Sequence, residues 1–472
     1  SQTTDYAMFM QMAAFHDYKG VSRLIHVGLT KGASPKELLR MLGSACLGNY
    51  HVKSYSETEY EIQRLSLIIG GPKLAHTLSK ALDLPSICST QDHTSAPKLQ
   101  ASVGFPSRTE LQHNINAVLN CEAMLAVAQS STKRGLSILI DEIAVEEIPA
   151  YDGLRDAIIG FAREDASKAD FKHVNTNSLL VLADRVAKGD VRRAKEATIV
   201  ALASYGKDKY GAKPILISGT CKTETEDQQV RWMNTMLDVL LDPVDGVRSL
   251  GQLFSIASDG DATRRKTLHH ILMSTPLSQK DPLYELLGGL LLMNQNCGPS
   301  NITMDIDYNH KFKNLATSIR GSSGFLVLSA HITPLELKSR LSAVTCLKFT
   351  NLNALFDPKD HQNVPKAVGL LAAIGHLADS ILPDLEDAER VISISDRPFV
   401  VLGKFTNWLT APFKTVTLSL SEQLEHLLAA AHLLLVLYRE NRTSFCPGQL
   451  YYDIQTFVKN AFWSVAKAYL LD

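Results

Sequence analysis

The chain has 472 residues, 45% hydrophobic and 21% charged, with a formal net charge of −1. Such length and apolar content support two or three domains with sizeable cores and exclude an intrinsically disordered chain. The near-zero charge excludes a whole-chain signature of nucleic-acid binding, so any such binding falls to local basic faces.

Residues 1–130 read as helical. Pro35-Lys-Glu-Leu-Leu-Arg-Met-Leu and Ser56–Ile69 carry apolar residues at helical spacing, the latter with acids in its first turn. Gly70-Gly71-Pro72 breaks that helix. Lys73–Leu82 follows, then Asp83-Leu-Pro85-Ser86 as a turn, so that about 72–95 has the outline of a helix-turn-helix. Its scarcity of Arg and Lys favours an ordinary helical hairpin over a DNA-reading one.

From 131 to 325 the periodicity changes to that of strands. Leu136–Val145 reads as a buried strand, Asp156–Arg163 as a second and Glu196–Ser204 as a third, with Lys213–Ser218 as an extra extended piece. Glu224–Leu241 is an amphipathic helix, Val247–Ser258 the fourth strand, Ala262–Met273 a helix, Ile302–Tyr308 the last strand, and His310–Arg320 a helix. The fold class is therefore α/β plus α: three strands, a helix, a strand, a helix and a strand is the order of a ribonuclease H-like mixed sheet. Residues 326–472 read as a helical insertion, clearest at Val364–Leu377 and Ser421–Arg439, where Ser421 stands in cap position. The apolar run Leu427–Leu437 is too short to span a bilayer. There is no basic-then-apolar leader at the N-terminus, and seven scattered cysteines without a C-x-x-C pair suggest free thiols in a reducing compartment. The chain is expected not to be secreted and not to engage a membrane.

Three strands deliver carboxylates. Asp141 follows Leu-Ser-Ile-Leu-Ile, where a charge sits either at the strand's mouth or buried and paired. Glu142 points to the opposite face, so Asp141 is the favoured metal ligand. Asp259 and Asp261 flank Gly260 between the fourth strand and its helix. Asp261 suits the helix N-cap and Asp259 the metal, though the two could exchange roles. Asp305 and Asp307 alternate on one face of the last strand. His310, Lys311 and Lys313 open the following helix, where cations gain nothing from the helix dipole and have a more natural use on phosphate. Arg264 and Arg265 form a similar basic run. Asp307 with His310 could equally be a structural pair. Acids from separate strands meeting at one sheet edge make a site for Mg²⁺ or Mn²⁺, the chemistry of phosphodiester cleavage. Ile215–Thr223 lacks both glycines of a phosphate-binding loop, with Cys221 and Leu216 in their places, and is rejected as one.

Taken together, Ile140-Asp141-Glu142, Ser258-Asp259-Gly260, Asp307-Tyr-Asn-His310-Lys-Phe-Lys313 and the turn Leu82-Asp-Leu-Pro85-Ser86 resemble the catalytic region of P-element-type and THAP-family DNA transposases. The resemblance covers about 55–320 in order and the helical remainder more loosely. It implies a ribonuclease H-like core interrupted by a helical insertion, an Asp-Asp-Glu triad with two divalent ions, DNA as partner, a homo-oligomer and a nuclear location, otherwise a cytoplasmic one. In some relatives the insertion also binds GTP, for which no sequence signal is present. Asp141 and Asp259 would be catalytic, with Asp307, His310, Lys313, Arg264 and Arg265 supporting the site or contacting DNA. Three departures stand out. The family's zinc module is absent. The third acid belongs on a helix after the insertion, which the chain is expected to stop short of, and Glu422 and Glu425 read as insertion core. Relatives include degenerate copies, so an inactive DNA- or protein-binding descendant is the alternative. A third possibility, an α/β phosphohydrolase, requires mainly parallel strands and is excluded by an antiparallel meander of the first three.

Overall fold

The computed structural model describes residues 7, 21–46, 55–82, 84–93, 99–119, 134–172, 174–206, 211–244, 246–247, 250–348, 350–359, 362–382 and 392–471. The chain divides into two units at Ala96/Pro97, rather than near residue 130. The reason is that Arg108–Leu119, read with the N-terminal helices, buries Leu111, Ile115 and Val118 against the sheet of the second unit.

The first unit contains α1 (Val21–Thr30), α2 (Pro35–Cys46), α3 (Glu57–Leu82) and α4 (Ile87–His93). As expected, the glycine pair breaks α3: Gly71 adopts φ 70° and ψ −176°, ahead of Pro72. The candidate helix-turn-helix is thus the second half of α3 followed by α4, only seven residues long. Asp83 and positions 94–95 of that segment lie outside the described residues. The His93 ring stacks on Tyr60 at 3.7 Å and bonds Glu57 at 2.8 Å, tying the two helices together.

The second unit runs α5 (Arg108–Leu119), β1 (Gly135–Ala144), α6 (Thr176–Ala187), β2 (Glu196–Ser204), β3 (Lys213–Thr220), α7 (Glu226–Leu240), β4 (Gln252–Ser258), α8 (Ala262–Leu272), α9 (Pro282–Leu287), β5 (Thr303–Ile306) and α10 (Tyr308–Arg320). It then becomes helical: α11 (Pro334–Ser342), α12 (Leu352–Phe356), α13 (Val364–Ile381), α14 (Arg397–Lys414), α15 (Leu420–Asn441) and α16 (Gly448–Tyr469). The fold is mixed α/β with a central mixed sheet and many helices. Its five strands lie in the order β3-β2-β1-β4-β5. β1, β2 and β3 form an antiparallel meander, and β4 and β5 run parallel to β1. A doubly wound parallel sheet is thereby excluded.

The strand expected at Asp156–Arg163 is not in this sheet. Only Ala157–Ile159 is extended, and it pairs with Ala150–Asp152 in a separate ribbon. The run is cut short at Gly160, whose φ of +96° suits glycine and leaves the strand region. The second and third strands are Glu196–Ser204 and Lys213–Thr220, so the piece read as extra is integral.

One face of the sheet buries Leu136, Ile138, Ile140, Val200, Leu202 and Ile256 against α5, α7 and α8. A second core gathers α10, α11 and α13–α16 around Phe312, Leu370, Phe405, Leu434 and Phe457. Helix α15 exceeds the apolar run read in the sequence, and with α13 it is long and apolar enough to cross a membrane by length and composition alone. Its Leu427, Ala430, Leu434 and Leu437 are, however, packed into that second core. Its cap is Ser419, not Ser421: the Ser419 hydroxyl and the Glu422 carboxylate bond each other's backbone N–H.

Helix α16 returns to the sheet. Asn460 accepts from the Thr303 hydroxyl at 2.7 Å, and the Lys467 amine donates to the Phe254 carbonyl at 2.7 Å. A helix read in the sequence as part of the insertion thus packs against β4 and β5.

Candidate metal centre

The parallel ladder between β1 and β4 ends at Ile140↔Ser258. The next residue on each strand is an aspartate, and parallel register puts Asp141 and Asp259 on one face. Asp141, Glu142 and Asp259 each bring a carboxylate oxygen to within 4.8 Å of the other two. Asp141 is exposed and Asp259 half-buried, while the side chain of Glu142 is only 7% exposed. Glu142 does leave β1 on the opposite face, yet it joins the cluster. Beyond Ser258 no ladder partner covers that edge of β1, and acids from both faces can lean round it. The Asp141 carboxylate also curls along the strand to accept from the Glu142 N–H at 2.9 Å.

The turn after β4 assigns its acids distinct roles. Asp261 caps α8, accepting from the Thr263 and Arg264 N–H groups at 3.0 and 3.1 Å. Asp259 accepts from the Asp261 N–H at 3.1 Å and stays with the cluster. Asp261, the alternate ligand, is not in it.

The basic residues are placed otherwise than expected. Arg264 is buried and donates to Glu142 at 2.6 Å and to Gln229 at 3.2 Å, with its guanidinium 5.6 Å from the Trp232 ring centre. Burial against an acid 122 positions away removes it from a DNA-facing role. Arg265 is held by both oxygens of Asp453 at 2.7 and 2.9 Å. Asp307 lies beyond the end of β5 and caps α10, and it meets His310, three residues on, at 2.6 Å. Lys313 bonds Gln362 at 2.9 Å, toward the helical region. Lys311, not Lys313, is the cation aimed at the carboxylate turn: it is buried, donating to the Asp259 carbonyl at 3.1 Å and to Asp453 at 2.8 Å.

Behind the cluster, Arg163 makes a bidentate pair with Glu224 at 2.6 and 2.7 Å and donates to Thr198 at 2.9 Å; the Thr198 hydroxyl donates to Glu142 at 3.1 Å. Lys222 pairs with Glu196 at 2.7 Å. That hydrogen bond holds its amine above the usual lysine range, with a further contribution from Glu142 and Asp259. The rejected phosphate loop is occupied from within: Glu164 accepts from the Thr220 hydroxyl at 2.7 Å and from the N–H groups of Cys221 and Thr223 at 3.0 and 3.2 Å.

Among the described residues, Asp453 is the site residue that sequence reasoning passed over, while the same reasoning sets Glu142 aside in favour of Asp141 and reads Lys311 as a phosphate contact. Glu142 had a signal, being adjacent to Asp141 at a strand mouth. Asp453 had none, since it lies in an ordinary amphipathic helix.

No protein-family model and no curated protein matches the chain. Among solved structures, a chain of the Drosophila P element transposase strand transfer complex is similar, at 13% identity and a TM-score of 0.47, over 92% of this chain and 85% of that one.

Proposed function

We propose that this chain has a ribonuclease H-like core and performs transposase-like cleavage or transfer of DNA strands, with Asp141, Glu142 and Asp259 holding Mg²⁺ or Mn²⁺. The observation that carries this reading is the carboxylate cluster, three acids with oxygens within 4.8 Å of one another at the ends of β1 and β4. An all-oxygen, anionic donor set fits a hard divalent cation. The strand order β3-β2-β1-β4-β5, with its antiparallel first three strands, supports the ribonuclease H-like assignment. A divalent ion bound there would supply the charge that activates water or a 3′-hydroxyl and stabilises the phosphodiester oxygens. The chain's own residues set the scene: Asp141 offers an exposed carboxylate, Asp259 stands on a turn fixed from behind, and Glu142 is oriented by Thr198 and Arg264. GTP does not have comparable support, because the strand–loop–helix at 215–226 spends its amides on Glu164.

The test is nicking of a DNA duplex in Mg²⁺ by the purified chain. Cleavage should vanish in Asp141→Ala and in Asp259→Ala; robust cutting that survives either substitution defeats the assignment.

One observation favours a second reading, a catalytically silent DNA- or protein-binding descendant. Glu142 is already ion-paired with Arg264, and Asp453, on the helix that returns to the sheet, is consumed by Arg265 and Lys311. DNA binding that weakens with salt, with no cleavage in Mg²⁺ or Mn²⁺, would select it. A nuclear location accompanies either DNA-acting version, and a tagged chain confined to the cytoplasm would count against both.

A further inference from the structure

We propose that Asp453 is a positioning residue for the carboxylate cluster: through Lys311 and Arg265 it fixes the Asp259–Gly260 turn and keeps both cations off the metal-binding oxygens. The inference rests on reading that cluster as a cation site.

Asp453 is 2% exposed. Both of its oxygens are occupied, one by Arg265 Nε at 2.7 Å, the other by Arg265 Nη2 at 2.9 Å and Lys311 Nζ at 2.8 Å. It is outside the carboxylate cluster, so it is not placed as a further ligand. Each of its cations has a second attachment. Arg265 Nη2 donates to the Gly260 carbonyl at 2.6 Å, and Lys311 Nζ donates to the Asp259 carbonyl at 3.1 Å. Two arms thus run from one buried carboxylate to two consecutive carbonyls of the turn that presents Asp259.

Gly260 makes the approach feasible. Its φ is +88°, and a Cβ there would meet Lys311 Nζ at 2.8 Å, Arg265 Nη2 at 3.1 Å and Asp453 Oδ2 at 3.5 Å. The base of the bracket is itself anchored, since α16 is pinned to the sheet by Asn460–Thr303 and Lys467–Phe254. Position is therefore transmitted from α16 to the Asp259 backbone through charged hydrogen bonds. Both cations already touch the turn that carries Asp259, and pairing with its carboxylate would neutralise a ligand. Asp453 removes that competition.

Mn²⁺ titration of the purified chain, followed by the paramagnetic signal of the free ion, tests this. The single variant Asp453→Asn leaves buried Lys311 and half-buried Arg265 without their acid and could unfold. The triple variant Arg265→Met/Lys311→Met/Asp453→Leu removes the whole cluster and leaves no charge alone, an exchange that folds well when volumes are kept. Its Mn²⁺ affinity should fall about 10- to 100-fold, the usual cost of losing supporting contacts around a metal site. Leu434→Ala, in the helical core away from the bracket, should lower the melting temperature while leaving Mn²⁺ affinity unchanged. Wild-type affinity in the triple variant overturns the inference alone, as does an equal loss in Leu434→Ala. Absence of Mn²⁺ binding that Asp141→Asn abolishes overturns the cation-site reading, and the inference falls with it.

Discussion

Replacing Arg264 with Met should make the protein less stable and, at the same time, more responsive to divalent metal. The Arg264 and Glu142 side chains are 4% and 7% exposed and meet at 2.6 Å. Removing one partner of a buried ion pair costs about 3–5 kcal/mol, because the remaining charge stays desolvated. Glu142 would then keep only the Thr198 hydroxyl, with two further carboxylates within 4.8 Å. At that separation each like-charge pair repels by about 1 kcal/mol in water and about 3.5 kcal/mol at an effective dielectric constant of 20. With Asp141 exposed, the true value lies toward the lower figure for its pairs. Metal reverses the balance. In the wild type a divalent ion competes with Arg264 for Glu142, whereas in the variant that competitor is gone. A tenfold gain in affinity adds about 1.4 kcal/mol of ligand-linked stability at saturating metal. Urea unfolding with and without excess MnCl₂ reads both effects. The expected result is a variant weaker by about 3 kcal/mol or more without metal and gaining more from Mn²⁺ than the wild type does. Equal Mn²⁺-induced gains in the two proteins would refute the idea that Arg264 and metal share Glu142.

Three other outcomes follow from the same geometry. Burial raises the Asp305 carboxyl to about 7, so its contribution is present in acid and lost as pH rises through 7. Asp305→Asn should therefore gain on the wild type, by on the order of a few kcal/mol, between pH 4 and 8 in urea titrations, and parallel pH profiles would contradict this. Burial lowers the Lys467 amine to about 7, so wild-type stability should climb as pH rises from there toward the ordinary lysine range. Lys467→Met should flatten that climb, even though it forfeits the hydrogen bond to Phe254, and a slope equal to the wild type's would be the contrary finding. Gly260→Ala should cost about 1–2 kcal/mol for its left-handed backbone alone, measured by thermal melts, together with displacement of Lys311; an unchanged melting temperature would mean the turn is not held as described.

The strand mouths were legible because an apolar run that ends in acid has few physical solutions. Leu-Ser-Ile-Leu-Ile before Asp141 and Phe-Ser-Ile-Ala-Ser before Asp259 are largely buried, Leu139 being the exposed exception, and their acids must leave the sheet or be paired. The cap role of Asp261 was legible for a similar local reason, a short acid one residue before a helix. Ser419-x-x-Glu422 carried its capping signature too, and the competing Ser421 obscured it. The ribbon at 150–159 was misread because Ala157-Ile-Ile is as apolar as a sheet strand, and only the chain's exit at Gly160 separates them.

What escaped local reading is the use made of the cations. A run such as Arg264-Arg265-Lys266 has the same appearance whether it faces phosphate, solvent or an internal acid. Which of these obtains depends on partners 122 and 188 positions away, Glu142 and Asp453, which periodicity does not connect. The same holds for Lys311 and Asp453, 142 positions apart. Burial of a cation is tolerated only where an acid and further acceptors meet it, so each such pairing constrains two distant elements at once. In this protein those pairings converge on one place. Arg264 reaches the carboxylate cluster through Glu142, and Arg265 and Lys311 reach it through the backbone of Asp259 and Gly260. A purely stabilising role would not require cations from two helices to end at one strand mouth, since an apolar contact of equal volume would serve without desolvating any charge. Their convergence is best explained by a need to fix where the strand-mouth carboxylates stand, Glu142 through its side chain and Asp259 through its backbone.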